Sequence, residues 1–116
     1  MRSANYIKKD TPAILKGQKI TSSQALKYAW WFESFREQLR TGAYRFSYFK
    51  KDGSIREARG TLCMDLIPEE HRPLRGYDTD AALVPVNSFR YYDLIAGGWR
   101  SFRLDNFIGF VEKVNA

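Results

Sequence analysis

Residues 89–110 read FRYYDLIAGGWRSFRLDNFIGF. An aromatic run ends near Leu94, Ala96-Gly97-Gly98 turns the chain, and a second run covers Trp99–Leu104. Two such runs joined by a glycine turn spell a β-hairpin. Asp105-Asn106-Phe107 is a polar elbow suited to one turn of tight helix, and Ile108–Val114 spells a last strand. Strand alternation places Arg100 on the face of Phe102 and Leu104, and Arg103 on the opposite face with Trp99 and Ser101.

Upstream, a second hairpin has the same grammar. Tyr44, Phe46 and Tyr48 alternate with Arg45, Ser47 and Phe49, and Lys51-Asp52-Gly53-Ser54 follows. Asp-Gly takes the positive φ that tight hairpin turns need. The return strand runs from Ile55 to about Met64, and Gly60 within it predicts a bulge or strong bend. Between the hairpins lies a loop at 65–86 with Pro68, Pro73, Gly76 and Pro85. Loops of that length in small domains are usually functional or mobile.

Before the strands, one helix is predicted over 21–41. Thr21 and Gln24 form a capping box, and Gly42 sits where the helix stops. Ala25, Tyr28, Ala29, Trp31, Phe32, Phe35 and Leu39 share one broad face, which reads as core. Leu26 and Trp30 fall off it. Trp30 is either half covered by the N-terminal arm or a protein-interaction contact, since exposed tryptophans anchor interfaces. Residues 1–20 read as that arm, basic and broken by Pro12 and Gly17, with a short strand or turn near Ile14. Residues 21–116 then form one domain, with the barrel over 43–115. The predicted fold is mainly β with one helix (α+β): a five-stranded small barrel of SH3 or Sm type. The alternative is an open five-stranded sheet with the helix across one face.

The chain has 116 residues, enough for one domain with one modest core. Its 16% aromatic content argues against disorder. The net charge of +6 suits an anionic partner such as nucleic acid, nucleotide or acidic protein. One cysteine, Cys63, excludes an internal disulfide, and with one histidine it cannot build a zinc site. No stretch approaches the roughly 20 apolar residues of a membrane span, and the start lacks a signal-peptide pattern. A soluble protein of the cytoplasm, or of a particle assembled there, is expected, with no membrane partner.

Several of these residues match a known pattern. Tyr48-Phe49-Lys50-Lys51-Asp52-Gly53-Ser54-Ile55-Arg56-Glu57-Ala58, then Gly60-Thr61-Leu62, resembles the first hairpin of WYL-like domains. Tyr91-Tyr92-Asp93-Leu94 resembles the Trp-Tyr-Leu strand that names them. Trp99-Arg100-Ser101-Phe102-Arg103-Leu104-Asp105-Asn106-Phe107-Ile108 is similar to their Arg-x-Phe-Arg-Leu-Asp-Arg-Ile signature. The likeness spans about residues 44–112. It is nearest the short stand-alone branch of bacteriophages and gut Bacteroidetes, which implies an Sm-like SH3 barrel, a viral or mobile-element origin, and a bacterial host cytoplasm or virion. Tyr91 stands for the naming tryptophan and Asn106 for the signature's last arginine. No winged helix-turn-helix precedes the barrel here. In the larger WYL relatives that module accompanies a domain implied to sense ligand or nucleic acid.

For chemistry, Arg100 is the sharpest candidate. A guanidinium turned towards a barrel needs an anion, because burying it unpaired is very costly. It is either an internal clamp on Asp93, Asp105 or Glu57, or a binding residue. Lys50, Lys51, Arg56, Tyr92, Arg100 and Arg103 are the candidate ligand or nucleic-acid binding residues, with Arg45 and Arg59 further down the strands. Basic side chains beside Phe49, Tyr91 and Tyr92 suit phosphate tracking and base stacking; the same charges also protect edge strands from pairing. His71 in Glu69-Glu70-His71-Arg72 reads as a solvated loop residue, and no nucleophile–base motif, phosphate-cradling glycine loop or metal spacing appears. The expectation is a non-enzymatic binding module with no cofactor and no metal, binding nucleic acid or a nucleotide. The alternative is a virion-associated or protein-interaction component, and assembly of copies through strand edges is open.

Overall fold

The computed structural model describes residues 17–73 and 87–114, apart from the side chain of Phe110. The predicted arm up to residue 16 and the second half of the long loop, 74–86, lie outside them. The helical region is two segments, α1 (Ser22–Lys27) and α2 (Ala29–Leu39), rather than one. Thr21 caps α1 with the capping box its sequence predicts. Tyr28, at φ −101° and ψ 20°, separates the two segments while its carbonyl accepts from the amides of Trp31 and Phe32. Gly42 does not end α2. Thr41 closes the last turn by donating both its amide and its hydroxyl to the Gln38 carbonyl.

The strands are β1 (Ala43–Phe49), β2 (Ile55–Thr61), β3 (Ser88–Asp93), β4 (Gly98–Arg103) and β5 (Phe107–Val114). They form one antiparallel sheet in the order β4-β3-β2-β1-β5 among the described residues. Gly53, at φ 88°, makes the β1–β2 turn, where Asp52 accepts from the amide and hydroxyl of Ser54. One 3-10 turn, Leu104–Asn106, bends the chain from β4 into β5. Two others, Met64–Leu66 and Glu69–His71, structure the start of the long loop.

Gly60 makes no bulge. It pairs in register with Tyr44 on one side and Asp93 on the other. The register shifts lie instead between β1 and β5, around Arg45, Ser47 and Tyr48.

The sheet curls because its inner face is a continuous set of rings. Phe46 touches Tyr91, Phe102 and Phe107 from β3, β4 and β5. Phe102 stacks on Tyr48 at 4.7 Å and on Phe107 at 5.5 Å, so ring packing draws the two outer strands together. The α2 segment plugs this cup. Trp31, Phe32 and Phe35 all reach Phe107, and Phe35 also stacks on Phe89 at 5.1 Å. All of these rings are buried. Each stabilises by about 1.5–3 kcal/mol through burial alone, which makes this aromatic plug the main source of stability. Leu26 and Trp30 stay on the outer flank, 67% and 52% exposed.

Candidate functional site

Ring packing closes the barrel at β4 and the end of β1 without pairing those strands, and a groove of about 660 Å³ remains along the seam. One wall is β4 itself, Trp99 to Arg103. The other is the end of β1 with its turn, Tyr48 to Lys51, plus Arg56. Ser88 and Asn106 complete the lining. Lys50, Lys51, Arg56, Arg100 and Arg103 all face this space, and among the described residues no lining residue is a carboxylate. Five of the six candidate binding residues are thus brought together, although they come from two hairpins far apart in sequence.

Beneath the arginines lies Asp93, only 2% exposed. One carboxylate oxygen, Oδ1, accepts from the amides of Ile95 at 2.9 Å and Ala96 at 3.0 Å, capping the β3–β4 turn. The other, Oδ2, is 3.3 Å from Arg100 Nε and 4.0 Å from Arg56 Nη1. It also accepts from the Tyr91 hydroxyl at 3.5 Å. The Tyr91 and Tyr48 hydroxyls are hydrogen-bonded at 2.6 Å. Burial raises the pKa of both phenols above the ordinary tyrosine value, with the Tyr48 hydroxyl adding to the rise at Tyr91. Both therefore stay neutral and can donate at any physiological pH.

Arg100 is thus an internal partner of Asp93, yet its side chain remains 39% exposed at the groove. Arg103 is balanced differently. Its Nε and Nη2 donate to Asp105 at 2.9 and 3.1 Å, and the guanidinium holds that carboxylate below the usual range. Lys50 and Lys51 have no ion-pair partner among the described residues. Among the described residues, five cations against the carboxylates of Asp93 and Asp105 leave three surplus positive charges. Surplus positive charge attracts anions, and guanidinium forks match phosphate oxygens in geometry.

Other candidates lie elsewhere. Tyr92 is buried on the opposite face of β3, packed edge-on against Trp99, with its hydroxyl 2.8 Å from His71 Nδ1. His71 is more than a solvated loop residue: besides that bond, its carbonyl accepts from the Trp99 indole at 2.8 Å, fastening the loop to the barrel. Arg45 pairs with Glu112 across β1 and β5, and Trp30 is on the outer helix flank. The residues that sequence reading passed over are Tyr48 and Trp99, and of the three carboxylates it offered to Arg100 the structure uses Asp93. Parity carried a signal for Asp93. Phe89, Tyr91 and Asp93 share the inward face of β3, so a carboxylate there demands cations.

Among the described residues, no three His, Cys, Asp or Glu side chains cluster where they could hold a metal ion. No described helix is long and apolar enough to cross a membrane. A family model, WYL_2, with an Sm-like SH3 beta-barrel fold, matches residues 32–108. The chain belongs to this family, and its five strands and aromatic core are that barrel. No curated protein and no solved structure matches it.

Proposed function

We propose that this domain is a non-catalytic binding module for nucleic acid or a nucleotide-type anion, held in the groove between β4 and the β1–β2 turn. The observation that carries the reading is the lining: five cations and, among the described residues, no carboxylate, beside the part-exposed rings of Phe49 and Trp99. Charge tracks phosphate, and flat rings accept bases. A duplex is about 20 Å wide by ordinary B-form geometry and is read through its grooves. A single open seam flanked by part-exposed rings instead suits an unpaired strand, whose bases are free to stack. The likeness to the short WYL-like branch supports a phage or mobile-element origin and action in a bacterial cytoplasm.

The test is fluorescence anisotropy with labelled single-stranded DNA, RNA and duplex DNA at low and rising salt, with free nucleotides as competitors. Binding that weakens steeply with salt is expected. Absence of binding to every one of these at low salt would remove the reading. A second reading, a protein-interaction or virion-associated component, has one observation of its own. Leu26 near the end of α1 and Trp30 near the start of α2 are both large, apolar and exposed. Peptides of this chain in purified particles would favour it.

A further inference from the structure

Arg56 and Arg100 come from strands that do not pair with each other: β2 pairs with β1 and β3, and β4 pairs with β3. Their meeting is nevertheless fixed from two directions. In register, Arg56 stands opposite Tyr48 and Arg100 opposite Tyr91. The two tyrosines are joined by the 2.6 Å hydroxyl bond. Above that bridge, both guanidinium groups lie within 4.0 Å of the same Asp93 oxygen. Asp93 cannot swing away, because its other oxygen is held by two turn amides and the side chain is buried. Arg100 meets Asp93 through Nε, and Arg56 through one terminal nitrogen, so each guanidinium keeps nitrogens that Asp93 does not engage.

We infer that Asp93 is the positioning residue of the groove, holding Arg56 and Arg100 as one two-pronged cradle for a single phosphate group of the ligand. This rests on the nucleic-acid or nucleotide reading of the groove and adds to it which two of the five cations make the specific phosphate contact. Lys50 and Lys51, on the turn, supply general attraction. Arg103, spent on Asp105, adds little. A buried carboxylate under an anion site opposes anion binding by simple charge. Its place there makes sense where orientation outweighs that repulsion: two guanidinium groups left without an anchor repel each other and must be ordered afresh on binding.

The opposed signs give the test. Asp93→Asn keeps the shape and an oxygen for the two turn amides, but removes one negative charge. If Asp93 only neutralises, the variant binds a fluorescein-labelled oligothymidylate more tightly than the parent. If it positions, binding weakens by about tenfold or more, the loss expected for one charge-assisted contact, although net charge has risen. A folded Asp93→Asn protein that binds equally or more tightly overturns the inference. Should that variant fail to fold, Arg100→Lys decides without touching Asp93. Lysine keeps the charge but gathers its three donors on a single nitrogen, so the planar fork that spans Asp93 and a phosphate is lost. A loss of about tenfold supports the cradle, and parent-like affinity overturns it. A parent protein that binds no oligonucleotide at low salt sinks the reading of the groove itself, visible before any variant is made.

Discussion

A methyl group added at Gly60 would stand 2.6 Å from the Tyr91 ring and 2.9 Å from that of Phe46. Both rings are fully buried and packed against further rings, so neither moves freely. Gly60→Ala should destabilise by about 1–3 kcal/mol, the usual penalty of overpacking, measured as a lower midpoint in urea. A parent-like midpoint would show that the rings relax. The sequence marks Gly60 as special, but the local pattern suggests a bulge. The true cause, an edge-to-face ring pair spanning β1 and β3, depends on strands far apart in the chain. Arg100 shows the same limit. Its strand parity is legible, while its mixed state, half anchor and half exposed, is not. In Arg100→Ala, Asp93 keeps two amides, the Tyr91 hydroxyl and Arg56. The loss should therefore be about 1 kcal/mol, as for partly exposed pairs, rather than the 3–5 kcal/mol of a stranded buried charge. A thermal melt of the free protein separates these values.

Among the elements, the start of α1, the end of β4 and the 3-10 turn before β5 are tied at one carboxylate. Asp105 accepts from the Ser22 hydroxyl at 2.7 Å and from Arg103. Hydrogen bonding by Arg103 is the main reason that its pKa falls below the ordinary value. A depressed folded pKa means that the unfolded chain takes up a proton first as pH falls. The contribution of Asp105 is therefore fully present above the unfolded value of about 3.9. It is lost as pH falls through the lower folded value. Asp105→Asn should lower stability by about 1 kcal/mol at neutral pH, since Arg103 is half exposed. The gap between parent and variant should close below about pH 4. Melts across that range check it, and a gap independent of pH would exclude the ion pair as its source. This tie also bears on the helix break. Ser22 and the buried Ala25 fix α1 on one side, while Trp31, Phe32 and Phe35 set α2 by their fit into the cup. Helical periodicity reports one apolar face, which is legible in the sequence. The interruption at Tyr28 goes with two separate anchorages, and no local pattern encodes that.

Across the whole molecule, the +6 charge is not spread evenly in effect. Among the described residues, a surplus of three gathers at a single seam, where barrel closure brings the tip of the first hairpin against β4. The basic residues were legible one by one. The groove was not, because it exists only once Phe102 of β4 has stacked on Tyr48 of β1 and Phe107 of β5, two strands that β4 does not pair with. If this seam holds the phosphates, charge should matter by place rather than by total. Screening over roughly 10 Å at 0.1 M salt limits the reach of distant cations. Replacing Lys50 and Lys51 together by alanine should reduce the slope of log affinity against log salt by about 1.4 for a single strand, roughly 0.7 for each lost phosphate contact. Lys27→Ala removes an exposed cation of α1 that does not line the groove, and it should leave the slope unchanged. Anisotropy titrations of the three proteins at several salt concentrations measure this directly. Equal slope changes per lysine at both places would mean that total charge governs binding and that the seam has no special role.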